Sequence, residues 1–179
     1  MCRPRVTMTA LFLGILFLCR CHATLSQNSG KHYPDANEVM RKLPRTFVDW
    51  SRGHIGYTGG YQHFYTEASG CETYRKWTFI WRFDIDTMND DCYIKNVTGY
   101  KVSLAKEPGS TVPGTIKGEI LFSDMRTCMV SRIDGRVCYL TLTKEYDIES
   151  RRICRSSFTQ HCGEPEQRNE ITEGPCYRP

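Results

Sequence analysis

The chain has 179 residues, with 24 Lys and Arg against 20 Asp and Glu, and 10 cysteines. Its formal charge of +4 overstates the folded part, because residues 1–23 read as an export signal. Arg3 and Arg5 precede the apolar run Ala10–Leu18, too short to span a bilayer, and small Ala23 marks the cleavage position.

Removing that segment takes three basic residues and no acidic ones, leaving 21 against 20 in residues 24–179. Near-neutrality takes away the electrostatic motive for binding nucleic acid or a membrane surface. No other stretch approaches the length of a membrane span, and the 156 residues after position 23 suit a single domain in an oxidising, extracellular compartment. Cys2, Cys19 and Cys21 leave with the signal, and seven cysteines remain at 71, 92, 128, 138, 154, 162 and 176. The odd count leaves at least one thiol free in a monomer or available for a disulfide-linked dimer. With no C-x-x-C spacing and scattered histidines at 32, 54, 63 and 161, neither a metal site nor a cofactor is expected.

In chain order, Asp35 with Glu38 resembles a capping box opening a short helix. Val39, Met40, Leu43, Phe47 and Trp50 continue at helical spacing, but Pro44 interrupts it, which predicts an irregular or one-turn segment ending near Trp50. The Gly- and Tyr-rich stretch 53–68 holds a strand over Tyr61–Ala68. Cys71–Asp86 has the clearest strand alternation: Cys71, Trp77, Phe79, Trp81, Phe83 and Ile85 on one face, polar and charged residues on the other apart from Ile80. Asp86–Asp91 reads as a polar turn, and Cys92–Lys106 as one or two strands. Asn96-Val97-Thr98 is a glycosylation sequon, which predicts an exposed, modified Asn96. Turn chemistry fills Glu107–Thr115, and Ile116–Phe122 alternates as a strand.

Asp134-Gly135 between two apolar-rich runs predicts a β-hairpin with a two-residue turn. That register sets Arg132 opposite Val137, Val130 opposite Tyr139 and Cys128 opposite Thr141, so Cys128 and Cys138 point to opposite faces. Ile148–Cys162 reads as a helix with Cys154, Phe158 and Cys162 on one face, stopped by Gly163 and Pro165. Antiparallel strands joined by short turns, between an early and a late helix, predict an up-and-down barrel or a sandwich.

The segment Ser123-Asp124…Cys128-Met129-Val130, followed by Tyr146-Asp147-Ile148…Cys154…Phe158…Cys162 and Cys176, resembles the C-terminal half of tick salivary lipocalins, the family that includes the histamine-binding proteins. The resemblance covers about half of residues 24–179, and the N-terminal half agrees in layout only. It implies an eight-stranded antiparallel barrel with a short N-terminal helix and a lateral C-terminal helix, secreted in saliva. It further implies the disulfides Cys128–Cys154 and Cys71–Cys176. With a lateral helix outside the barrel, the two-residue register turns Cys128, Val130 and Tyr139 outward and Met129, Leu140, Leu142 and Cys138 inward, with Cys138 as the odd thiol.

The implied function is sequestration of a small host mediator, a biogenic amine such as histamine or serotonin or an eicosanoid, suppressing inflammation or haemostasis. Trp77, Phe79, Trp81, Phe83, Ile85, Met129, Leu140 and Leu142 are the expected ligand-lining residues. The chain departs from the amine-binding members at their Cys-Asp-Val motif, where Met129 replaces the acid, and at their Glu-Leu-Trp motif, where Tyr139-Leu140-Thr141 stands. Asp84, Asp86 or Glu119 could supply rim charge instead. The alternative is a protein-binding inhibitor of a host complement, protease or adhesion factor, working through Glu107–Thr115 and the tail Glu164–Pro179. Catalysis is not expected: His161 and Cys162 adjoin on a helix and so point apart, and no nucleophile signature surrounds them.

Overall fold

A computed structural model of the chain describes residues 32–53, 56–57, 59–83, 86–108 and 115–169. The expected signal, Asp84, Ile85 and Cys176 lie outside them. Helix α1 (Ala36–Lys42) opens as its capping box predicts, with Asp35 Oδ1 accepting the Glu38 N–H at 3.0 Å. Pro44 then ends helical structure altogether, since it disfavours the α region for Leu43 before it. The next element is strand β1 (Arg45–Arg52), and not the irregular segment that the spacing of Phe47 and Trp50 predicted.

The remaining strands are β2 (Gly59–Ser69), β3 (Glu72–Arg82), β4 (Thr87–Thr98), β5 (Lys101–Ala105), β6 (Ile116–Ser123), β7 (Cys128–Ile133), β8 (Val137–Leu142) and the two-residue β9 (Gln167–Arg168). Each of β2 to β7 pairs antiparallel with the next, β8 pairs with β1, and β1 pairs with β2. The sheet is thus a closed eight-stranded up-and-down barrel, with β9 an addition outside the cycle. Closure between β1 and β2 is short, spanning only Arg45–Phe47 against Tyr61–His63. The rest of that β1 edge is covered by β9, whose flanks add bonds from Glu166 N–H to Ser51 O and from Asn169 N–H to Asp49 O.

Two predicted boundaries move. Cys71 lies exposed in the β2–β3 turn, outside the buried stripe. The polar run Thr87–Asp91 belongs to β4, and just before it Phe83 N–H donates to Asp86 O at 2.8 Å. Helix α1 plugs one end of the barrel: Ala36 N–H donates to Gly99 O, and Val39, Met40 and Leu43 join the interior core.

The hairpin register is shifted by one residue from the predicted one. Asp134 and Gly135 adopt the positive φ of a tight turn (48° and 68°), and Arg136 N–H donates to Ile133 O at 3.0 Å. Yet Ile133 pairs with Val137, so Arg136 is an extra residue beside the turn. Because strand side chains alternate with period two, this one residue exchanges the faces of β8 relative to β7. Cys128, Val130, Cys138, Leu140 and Leu142 share the outer face; Met129, Ser131 and Tyr139 face inward.

Helix α2 (Ile148–Cys162) packs on that outer face, capped by Asp147 at its start and Gly163 at its end. Cys128 is bonded to Cys154 and Cys138 to Cys162, so Cys138 is no free thiol. Asp49 of β1, wholly buried, accepts from Arg151 and from Arg155, the latter with Nε at 2.9 Å. Phe158 packs edge-on against Trp50 at 5.9 Å between ring centres. Each disulfide is expected to contribute about 2–4 kcal/mol. Replacing Cys138 and Cys162 together by Ser should lower the urea unfolding free energy by that amount, and peptide mapping of unreduced protein should recover the 138–162 link.

Candidate functional site

The long alternating strand β3 carries its rings inward as predicted from its sequence: Trp77, Phe79 and Trp81 are all buried in the interior core, and Phe83 is partly buried against it. Phe79 stacks on Trp77 at 5.2 Å and on Trp81 at 5.4 Å. Such bulk fits only because facing strands withdraw theirs. A Cβ on Gly118 would lie 2.8 Å from the Trp77 ring, and one on Gly60 would lie 2.8 Å from the Trp81 ring. Met129 also joins this core. Leu140 and Leu142, expected to line the cavity, instead pack beneath α2 on the outside, because of the one-residue register shift. Tyr139 takes the inward position, 5.3 Å from Phe79 and 5.2 Å from Trp81, and Tyr57 stands 4.7 Å from Trp81.

Beside the plugged end, the interior holds a buried polar girdle. Gln62 Nε2 donates to Thr46 Oγ1 at 2.8 Å and to Thr141 Oγ1 at 2.9 Å, while Gln62 Oε1 accepts from Trp77 Nε1 at 3.0 Å. This ties β1, β2, β3 and β8 across the barrel and satisfies the indole N–H that burial would otherwise orphan.

Towards the other end the interior becomes charged. On β4, Asp90 stands opposite Phe79 and Cys92 opposite Trp77, both on the inward side. Asp90 pairs with Lys106, which follows β5, and the two side chains remain 44% and 53% exposed, so the pair lies at the barrel mouth above the buried rings. Sequence reasoning missed Asp90 by assigning it to a turn. The usable signal was the alternation Met88, Asp90, Cys92, Ile94, an inward series whose early members are not all apolar. Asp86 is exposed just before β4, and Glu119 faces outward in register with Lys101, 3.7 Å from Arg132.

Burial pushes the Tyr139 phenol well above its ordinary range, with Tyr57 and Asp90 adding to the effect. Burial likewise raises the Cys92 thiol, against a partial pull downward from Lys106. Burial works to lower the Lys106 ammonium, but its bond to Asp90 and the neighbouring Cys92 carry it upward. Asp124, Cys128 and Cys154 bring three potential metal donors within 4.8 Å of one another, but the two sulfurs are bonded to each other. His161 stands beside a Cys162 whose sulfur is likewise in a disulfide.

No family model and no curated protein matches the sequence. Solved structures do resemble the fold. The AM182 serotonin complex superposes with a TM-score of 0.55 at 16% identity, over 80% of this chain and 95% of that one. The cockroach major allergen Per a 4 superposes at 0.54 and 7% identity, over 74% and 88%. The barrel is thus lipocalin-like in fold.

Two outcomes follow from the interior. Gln62→Leu should cost about 1–3 kcal/mol, since it leaves Trp77 Nε1 buried without an acceptor, and chemical denaturation measures this. Tyr139 keeps its proton more tightly folded than unfolded, so its contribution is complete below pH 10 and is lost as pH rises above that value. Tyr139→Phe should therefore flatten the alkaline limb of the thermal-stability profile while leaving the neutral region's pH slope unchanged.

Proposed function

We propose that this chain is an exported, non-catalytic scavenger that takes a small aromatic amine, of the serotonin or histamine class, into the mouth of its barrel. The observation that carries the reading is the Asp90–Lys106 pair above the layer of Phe79, Trp81 and Tyr139. A protonated amine pairs with a carboxylate at the wet mouth, and a flat apolar ring needs aromatic partners. Asp90 supplies the first and the ring layer the second. Lys106 then behaves as an internal stand-in for the ligand cation, exchanged on binding. The acid that the resemblance to tick salivary lipocalins led one to seek at Met129 is replaced, on this reading, by one on β4. Serotonin bound to a protein of the same fold supports the assignment. Secretion into saliva and suppression of host inflammation or haemostasis belong to the same proposal, resting on the signal-like first 23 residues and the resemblance in the C-terminal half.

Lys106 favours a second reading, in which an eicosanoid carboxylate engages its ammonium. The two differ in the sign of their mutational effects. Titrations of tryptophan fluorescence with serotonin, histamine and a leukotriene should show saturable quenching by an amine. Asp90→Asn should weaken it at least tenfold, while Lys106→Met should leave it equal or tighter. The reverse pattern with the leukotriene selects the eicosanoid. Absence of saturable binding by all three would sink both readings and leave the protein-binding alternative.

A further inference from the structure

Outside the barrel, strands β4, β5 and β6 form a groove with about 340 Å³ of space, its walls carrying the side chains of Asn96, Thr98, Lys101, Ser103, Lys117 and Glu119. Two cross-strand rows build it, Asn96–Ser103–Lys117 and Thr98–Lys101–Glu119. Val102 and Gly118 face inward and give it a backbone floor, stiffened from behind by Trp77.

Asn96 stands in this groove because of a defect in the strand. Cys92 and Ile94 point inward, and in a regular strand Asn96 would follow them. A bulge at Lys95 shifts the register between Ile94 and Asn96. Asn96 and Thr98 are thereby exposed, while Val97 packs against the interior core. The sequon's two functional side chains meet on the outer surface, with Asn96 Nδ2 donating to Thr98 Oγ1 at 3.3 Å.

We propose that the groove is the seat of the first sugar of a glycan carried on Asn96. The ligand class is an N-acetylhexosamine, held covalently through Asn96 Nδ2. Attachment in the secretory pathway joins that nitrogen to the anomeric carbon of a lipid-pyrophosphate-linked oligosaccharide. The lipid pyrophosphate leaves, and the amide loses one proton to the transferase. The ring and its acetamido group then lie along the two rows, where Lys101 and Lys117 donate and Glu119 accepts, with the Ser103 hydroxyl between them. A sugar needs this mixture of donors and acceptors on a firm floor, and the covalent link at the groove's edge supplies its effective concentration. The outer face of β4–β6 is thereby covered and withdrawn from protein docking.

The test uses the full chain secreted from eukaryotic cells. Mass spectrometry should find the glycan on Asn96. Acetylation of lysines should be at least fivefold slower at Lys101 and Lys117 in the glycosylated protein than in Asn96→Gln or in enzymatically deglycosylated folded protein, with Lys42 and Lys144 unchanged. Trimming the glycan to its first sugar should preserve that protection. An unmodified Asn96, equal labelling with and without glycan, or protection that vanishes on trimming would each overturn the proposal.

Discussion

Everything about the interior depends on how helix α2 is strapped to the barrel. Two disulfides, Cys128–Cys154 and Cys138–Cys162, fix one face of the β7–β8 hairpin to the helix, and Asp49 fixes β1 through Arg151 and Arg155. Asp49 is wholly buried, and a buried carboxylate without cations would be strongly destabilising. The two arginines stay partly exposed, so the pairing gains orientation at modest desolvation cost. Arg132 and Arg52 add bonds to the carbonyl oxygens of His161 and Cys162, which close the helix C-terminus. Once three adjacent strands have their outer faces assigned in this way, period-two alternation leaves no freedom in what they turn inward.

Residues with a strong local signal were readable without the fold. The β3 rings alternate over many positions, and α2 has its Asp147 cap, its Cys154–Phe158–Cys162 stripe and its Gly163 stop within one continuous segment. Failures arose where one residue changes the phase. Asp134 and Gly135 take the expected positive φ, but Arg136 beside them is unpaired, and this sent Leu140, Leu142, Cys138 and Tyr139 to the wrong faces. Nothing in a short hairpin sequence distinguishes two loop residues from three when both flanks are apolar on both faces. Similarly, Phe47 and Trp50 keep helical spacing in β1 only because a register shift lies between Val48 and Trp50.

Asp90 was hidden for a different reason. Polarity near a chain reversal ordinarily marks a turn, and Thr87–Asp91 is polar at every position but Met88. A barrel mouth breaks that correlation, because its inward positions are wet at the rim and dry a few ångströms below. The same strand passes from Met88 and Asp90 at the rim to buried Cys92 and partly buried Ile94. Strand assignment from apolar alternation therefore fails where inward positions reach the wet rim.

The interior also divides labour along its axis. Near α1 the Gln62 girdle satisfies its own donors, joins four strands and leaves little for a ligand to contact, which suits a floor. Towards the mouth, Asp90 and Lys106 satisfy each other, and each could be satisfied as well by a ligand of opposite charge. A barrel close to neutral overall gives no long-range steering, so on the proposed reading discrimination rests on this local exchange. An amine that replaces Lys106 keeps Asp90 neutralised and releases the ammonium to water, where it is well solvated. A carboxylate that replaces Asp90 performs the mirror exchange and releases the acid, whose charge already works against ionisation of the Tyr139 phenol. Both partners are about half exposed, so water can solvate whichever is released, and on the proposed reading the ring layer decides for the cation exchange, since aromatic faces attract cations and repel anions.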